Sequence, residues 1–215
     1  MNYINNITEA IGHTPLLKLN KIGRDVGANV FVKLEHLNPS GSYKDRMALA
    51  MVNAAEEGNT WNGKQLPPDG VVVEASAGNT APALALVCAA KGLKARLVLY
   101  RYQFEGATNS RMQITQAFGP EVTVSSEPSD YLTPEQVEEF SKEEPDIPHV
   151  LAAKMDCQRM EDEDPKTVWV DQIYNMANLD GQKAMAREIY EQLDGQIDAI
   201  GCSVAAGGTL YGLCQ

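Results

Sequence analysis

Basic residues are in short supply in this chain: 18 lysines and arginines stand against 29 aspartates and glutamates, a formal net charge of −11. Such an excess of acid argues against nucleic acid or an anionic membrane surface as the main partner, because both are held by clustered cations. It selects no substrate by itself, since an anionic ligand needs only a local electropositive pocket. Cysteine is scarce too. Cys88, Cys157, Cys202 and Cys214 show no C-x-x-C spacing and are too few for a disulfide framework, so reduced, mostly buried thiols in a cytoplasmic protein are expected. His13, His36 and His149 are too dispersed to mark a metal site, and the acidic clusters lack calcium-loop spacing. Neither a serine nucleophile elbow nor a Walker lysine loop occurs. The start, Met1 to Glu9, lacks a basic segment followed by an apolar one, so nothing there points to secretion. The longest apolar run, Ala81 to Ala90, is interrupted by Pro82 and is about half of what a bilayer requires.

What is present is an ordinary globular composition, 44% hydrophobic over 215 residues, enough for one domain or two small ones. Ile11 to Leu19 begins as a turn and ends in a short strand, and Asn29 to Leu34 is a second extended segment across a turn near Gly23 to Gly27. Ser42 is placed to cap a helix over Tyr43 to Glu56, with Met47, Ala50, Met51 and Ala54 on one face. Val71 to Ala75 reads as a buried parallel strand, followed by the Ser76–Thr80 turn and an Ala-rich helix through Lys91 that Gly92 ends. A strand over Lys94 to Tyr100, a helix over Thr108 to Phe118 and a strand over Glu121 to Ser125 complete a β-α-β-α-β succession. That succession predicts a parallel sheet covered by helices, with ligand loops at the carboxyl ends of its strands.

Glu127 to Asp164 is the least legible stretch. It predicts a helix over Pro134 to Lys142 and otherwise a subdomain edge or flap, with the acidic patches Glu135 to Glu144 and Glu161 to Asp164 as solvated surface. Order resumes at Thr167 to Ile173, then a helix over Gln182 to Leu193, then a strand over Ile197 to Val204 that feeds Ala205-Ala206-Gly207-Gly208-Thr209.

Two features point to chemistry. Lys44 follows Ser40-Gly41-Ser42 at a turn-to-helix junction, and a neutral lysine amine there can form a Schiff base with an aldehyde, with Asp45 and Arg46 setting the local charge. Ala205 to Thr209 lies between a predicted strand and a helix start, where backbone amides, the permissive Gly207 and Gly208 and the Thr209 hydroxyl can hold a dianionic phosphate. A lysine amine and a phosphate cradle together suit pyridoxal 5'-phosphate. Ser76-Ala77-Gly78-Asn79-Thr80 is a second strand-to-helix loop whose amides can take a carboxylate, with Asn79 able to donate to a phenolic oxygen. Gln172, just past a strand, can approach the same cleft. Each also has a plain structural reading: a surface lysine, helix-starting turns, a polar edge residue.

In order along the chain, Ile11–Leu19, Asn38–Arg46, Gly78-Asn79-Thr80, Gln172–Asn178 and Ala205–Thr209 resemble the motifs of the cysteine synthase and cystathionine β-synthase family of tryptophan-synthase-β-like pyridoxal phosphate enzymes. The resemblance implies an α/β, two-lobed fold of type II with mostly parallel sheets. It implies Lys44 as the Schiff-base and proton-moving lysine and Asn79 as the donor to the cofactor ring oxygen. Ser76, Ala77, Gly78, Asn79, Thr80 and Gln172 would bind the amino acid carboxylate, and Ala205, Ala206, Gly207, Gly208 and Thr209 the phosphate. The implied reaction is β-replacement or β-elimination on a serine derivative, with sulfide or a thiol as second substrate.

The departures are specific. The family loop Thr-Ser-Gly-Asn-Thr-Gly is here Ser76 to Ala81, the phosphate loop has Ala205-Ala206 for Gly-Thr, Ser203 stands for a glycine and Leu99-Tyr100 for Met-Pro. Tyr43 is closer to threonine synthase relatives, which leaves a threonine synthase or dehydratase activity, and a non-catalytic binding or complex-forming relative, as alternatives. Expected lobes are residues 42–150, the smaller one with the asparagine loop, and residues 1–41 plus 151–215, a larger cofactor-binding lobe incomplete at its carboxyl end. Family members run well beyond the equivalent of Gln215, so this chain alone is expected not to catalyse. A homodimer is implied, or completion by a carboxyl-terminal fragment.

Overall fold

The computed structural model describes residues 3–215 apart from 24, 26, 77 and 101–109. In chain order its strands and helices are β1 (Leu16–Lys18), β2 (Phe31–Lys33), α1 (Lys44–Glu57), β3 (Val71–Ala75), α2 (Thr80–Lys91), β4 (Lys94–Leu99), α3 (Ser110–Ala117), β5 (Glu121–Val124), α4 (Pro134–Glu143), α5 (Ile147–Glu163), β6 (Thr167–Trp169), α6 (Ala177–Gln192) and α7 (Gly208–Leu213). β1 and β2 pair antiparallel, with Leu16 opposite Lys33. The other four strands form one parallel sheet in the order β5-β4-β3-β6.

Alternation along β3 builds two cores. Val72 packs with Met47, Met51 and Val52 of α1, Leu84 and Val87 of α2 and Leu97 of β4. Val73 and Ala75 pack instead with Ala153 and Cys157 of α5 and with Trp169. The central strand is therefore apolar on both faces, as a helix-covered parallel strand must be. On α1 the buried stripe is Met47, Ala48, Met51, Val52 and Ala55, one position round from the expected face, because α1 is gripped by both α2 and α6.

Several expectations change. Glu127 to Asp164 is neither an edge nor a flap, for its long helix α5 covers one face of the sheet. Pro148 is tolerated in the first turn, where no intrahelical bond is lost, and the polar Asp156 and Glu161 inside the buried stripe disguise its periodicity. Glu161 is not solvated: it accepts the Trp169 N–H at 2.9 Å and Asn62 Nδ2–H at 2.9 Å. Residue 150 lies inside α5, and β6 beyond it pairs with β3, so the sheet continues past the expected boundary between lobes. No strand forms over 197–204, which is exposed, since no described strand lies beside it to complete its hydrogen bonds. The helix expected from Gln182 begins five residues earlier at Ala177. Cys88 and Cys157 are buried, whereas Cys202 and Cys214 are exposed. The expected start of α3 at Thr108 lies outside the described residues.

Gly181 sets how closely α6 approaches α1. A Cβ there would sit 2.7 Å from the Arg46 carbonyl, so only a residue without a side chain permits the contact. The same α6 packs against α7, so α1, α6 and α7 form one block beside the sheet.

Candidate active site

Lys44 is placed by a turn that its neighbours tie down. Asn38 Oδ1 accepts the Gly12 N–H at 2.8 Å, and the Gly41 N–H donates to the Asn38 carbonyl at 2.8 Å. The Ser40 N–H donates to the Asp45 carboxylate at 2.7 Å, and the Ser40 hydroxyl donates to its other oxygen. Ser42 Oγ accepts the Lys44 N–H at 3.2 Å, satisfying one of the orphan amides at the start of α1, although Tyr43 occupies the cap position itself. Burial raises the Asp45 carboxyl above its usual range against the two Ser40 hydrogen bonds. Lys44 Nζ lies 4.8 Å from the centre of the Tyr43 ring and forms no ion pair among the described residues.

The two charges after Lys44 do not set its environment, as the sequence suggested; both are engaged in holding α1. The Arg46 guanidinium donates to Glu35 at 2.8 and 2.9 Å and to Glu188 of α6 at 2.6 and 2.7 Å. Glu188 also receives Lys33 Nζ at 2.8 Å and the His13 N–H at 2.9 Å. Burial works against the Glu188 charge, yet the hydrogen bonds from Arg46 and Lys33 bring its carboxyl down to about 2. Residues from the amino-terminal segment, α1 and α6 thus share one ion cluster.

A cavity of about 470 Å³ opens beside this turn, lined among others by Tyr43, Lys44, Gln172, Asn178 and all of Ala205 to Thr209. A separate cavity of about 500 Å³ lies near Lys94, Pro120 and Glu121 and contains none of the candidate residues. Gln172 is the joint between the first cavity and the Ser76–Thr80 loop. Its Oε1 accepts the Thr80 hydroxyl at 2.7 Å, its Nε2–H donates to the Ala75 carbonyl at 3.1 Å, and its own carbonyl accepts Asn178 Nδ2–H at 2.8 Å. Within the loop, Ser76 Oγ accepts the Gly78 N–H at 3.2 Å. Asn79 begins α2 in helical conformation with no capping bond from its side chain, and it does not line the cavity. Ala77 lies outside the described residues.

Gly207 has φ +84°, the left-handed region that favours glycine, and opens α7. No acceptor among the described residues meets the N–H groups of Ala205, Ala206 or Gly207. The structure therefore brings together Lys44, Gln172 and the 205–209 loop, and it links Ser76–Thr80 to them through Gln172. Sequence reasoning missed the wall formed by Ile147, Val150 and Leu151 of α5, with Glu144 just before it. Their signal was an apolar i, i+3, i+4 spacing after Asp146, masked by the prolines around it.

The sequence profile described as "Pyridoxal-phosphate dependent enzyme" matches residues 7–215. The chain belongs to that family. It is 34% identical over 212 residues to cysteine synthase 1 of Emericella nidulans, covering 98% of this chain and 50% of the relative. It is 43% identical over 122 residues to a cysteine synthase of Staphylococcus aureus, covering 57% of this chain and 36% of the relative. Among solved structures, a hydrogen sulfide-producing enzyme of Fusobacterium nucleatum superposes with TM-score 0.78 at 28% identity, covering 99% of this chain and 61% of the other. Cysteine synthase of Entamoeba histolytica superposes with TM-score 0.73 at 26% identity, covering 99% and 56%. The chain spans about half the length of the Emericella relative. Its architecture is the α/β, mostly parallel architecture of the two-lobed fold type II pyridoxal phosphate enzymes.

The residues present fit that cofactor. The cavity volume is in the usual range for small-molecule sites, roughly 300–1,000 Å³. Lys44, with no carboxylate partner among the described residues, and the amides at 205–207, which meet no acceptor among them, are at hand for an aldehyde and a phosphate.

Proposed function

We propose that this chain carries the cofactor and amino-acid site of a pyridoxal-phosphate-dependent β-replacement enzyme of cysteine synthase type. The observation that carries the reading is the meeting of Lys44, Gln172 and Ala205–Thr209 in one cavity although they are far apart in sequence. Pyridoxal phosphate, when bound, supplies the electron sink for charge at the substrate Cα. In this reading Lys44 Nζ holds the cofactor's aldehyde carbon and moves the proton at Cα. The amides of Ala205 to Gly208 and the Thr209 hydroxyl take the phosphate, Asn79 donates to the ring oxygen, and the Ser76–Thr80 loop with Gln172 takes the amino acid's carboxylate. Asn79 stands outside the cavity lining, so this role calls for the two lobes to draw together, which would also exclude water.

The second substrate is sulfide or a small thiol, and the place of work is the cytoplasm, in keeping with four free thiols and with relatives named cysteine synthase. Among the described residues no helix is long and apolar enough to cross a membrane. The smaller lobe in this reading is the α1–β6 region around the sheet, and the other is built from the amino-terminal segment with α6 and α7. Relatives twice as long suggest further polypeptide against the exposed 197–204 segment, from a complementing fragment or within a homodimer.

The test is a visible absorption spectrum of the purified chain with pyridoxal phosphate, repeated on Lys44→Ala, followed by product analysis. O-acetyl-L-serine plus sulfide, L-serine plus homocysteine, and L-serine alone separate cysteine synthase, cystathionine synthase and dehydratase chemistry. A Lys44-dependent band is expected. A spectrum identical for the two proteins, or a band that no amino acid perturbs, overturns the reading.

A further inference from the structure

One carboxyl group not used in that chemistry sits beneath the substrate end of the site. Glu74 is the fourth residue of β3 and is 2% exposed. Its Oε1 accepts the Ala75 N–H at 2.9 Å and its Oε2 accepts the Gln172 N–H at 2.9 Å. Ala75 ends β3 and leads into the Ser76–Thr80 loop, while Gln172 follows β6, the neighbouring parallel strand. The ladder hydrogen bonds between these two strands end with the Val170 N–H donating to the Val73 carbonyl. Beyond that point the strands diverge, and the two amides would be buried without partners were Glu74 absent. The carboxyl group takes over where the sheet stops.

We propose that Glu74 is a positioning residue for amino acid binding: by accepting both main-chain amides it holds Gln172 and the Ser76–Thr80 loop in one register, so that they present a single carboxylate site. The proposal rests on the reading that this loop and Gln172 take the amino acid carboxylate. The side chain of Gln172 depends on that register twice over, through the Thr80 hydroxyl and the Ala75 carbonyl. A shift of the Gln172 backbone breaks both contacts at once.

The site also gives the carboxyl a reason to be neutral. Burial, and then the nearby Asp171 carboxylate, push Glu74 up to about 8. Asp171, itself 1% exposed, is held at φ +37° and has Lys154 of α5 at 3.3 Å, with that ammonium also 4.5 Å over the Tyr174 ring. Among the described residues, the other titratable groups facing this region are the buried Cys157 thiol on α5 and the Tyr100 hydroxyl, which donates to the Ala75 carbonyl at 3.4 Å. Ionisation of Glu74 places a second negative charge beside Asp171 in a buried site with one lysine, a repulsion that the two accepted amides only partly offset.

The test compares Glu74→Ala and Glu74→Gln with the unaltered chain, using pyridoxal phosphate and L-serine as probes. Losing an acceptor for two buried amides is expected to raise the half-saturating L-serine concentration about tenfold in Glu74→Ala, while Glu74→Gln, which keeps one carbonyl, recovers most of it. Half-saturation by pyridoxal phosphate stays within about twofold in both, because Glu74 does not reach that end of the cavity. In the unaltered chain L-serine binding weakens as pH rises through 8, and in Glu74→Gln that pH dependence is lost. Equal losses for both probes, or an L-serine response unchanged in both variants and at all pH values, overturns the proposal. Hydrogen exchange supplies a readout independent of the cofactor: amides of 172–176 exchange faster in Glu74→Ala while those of 84–88 in α2 do not. Exchange unchanged at 172–176, or raised throughout, also overturns it; a chain that binds no cofactor defeats the functional reading yet leaves this measurement intact.

Discussion

Arg46 and Glu188, 142 positions apart, meet through two hydrogen bonds of 2.6 and 2.7 Å and fasten the lysine-bearing helix α1 to α6. The arginine is 3% exposed and the glutamate 13%, so neither charge is dispersed by water. Removing Glu188 leaves Arg46 with Glu35 alone and takes the carboxylate away from Lys33. Glu188→Gln is expected to destabilise the chain by roughly 1–3 kcal/mol, and replacing both ends by apolar residues costs more, because Glu35 and Lys33 then lose their partners as well. Denaturant unfolding of the single variant against a double Arg46→Met, Glu188→Leu variant reads the difference.

The same glutamate sets acid stability. Its carboxyl, held down to about 2, lies below the 4.5 usual for a glutamate, so its contribution is complete above 4.5 and lost as pH falls through about 2. Thermal melting between pH 5 and 2 is expected to show a decline that is shallower in Glu188→Gln. Parallel declines in the two proteins would place the acid-sensitive group elsewhere.

Glu74 acts in the opposite direction. Its carboxyl, pushed up to about 8, lies above the 4.5 usual for a glutamate, so the stability that its neutral form contributes is complete below 4.5 and lost as pH rises through about 8. Melting temperature is expected to fall across that window in the unaltered chain and to lose much of this slope in Glu74→Gln. The comparison is of slopes, since the amide's extra N–H faces a donor and lowers stability at every pH.

Gly181 and Gly207 answer to different forces. Gly181→Ala drives a methyl into the Arg46 backbone, which has no flexible end to yield, so a loss of about 1–3 kcal/mol is expected in denaturant unfolding. Gly207 has open space around its Cα but a φ of +84°. Gly207→Ala should therefore cost only about 1–2 kcal/mol of backbone strain, read as up to tenfold or so weaker binding of pyridoxal phosphate.

Thiol labelling checks burial without reference to function. Cys202 and Cys214 are expected to react quickly with an aromatic disulfide reagent in the folded chain. Cys88, whose thiol burial pushes up to about 12, and Cys157 react only on unfolding. Rapid labelling of all four would show the packing of α2 and α5 to be wrong.

How much of this was legible depended on where the information is local. The strand Val71–Ala75 and the helix ending at Lys91 were read to the residue, because an apolar run and a following glycine are short-range signals. The Lys44 turn, Gln172 and the 205–209 loop were legible as motifs, and all three line one cavity. What could not be read was set by distant partners. Glu161 looks like surface until Asn62 and Trp169 come to it, Arg46 looks like local charge until Glu188 arrives, and 197–204 looks like a strand because its apolar residues say nothing about a neighbour to pair with.

The Gly181 contact has a mechanical consequence. With no side chain between them, α1 and α6 are in backbone contact, and α7 rides on α6. Lys44 at one end of α1 and the 205–209 loop that starts α7 are therefore joined through main-chain packing, while α1 also rests on α2 and the sheet that carries Ser76 and Thr80. The distance between the lysine and that loop is thus set by backbone against backbone, and any side chain at 181 would widen it.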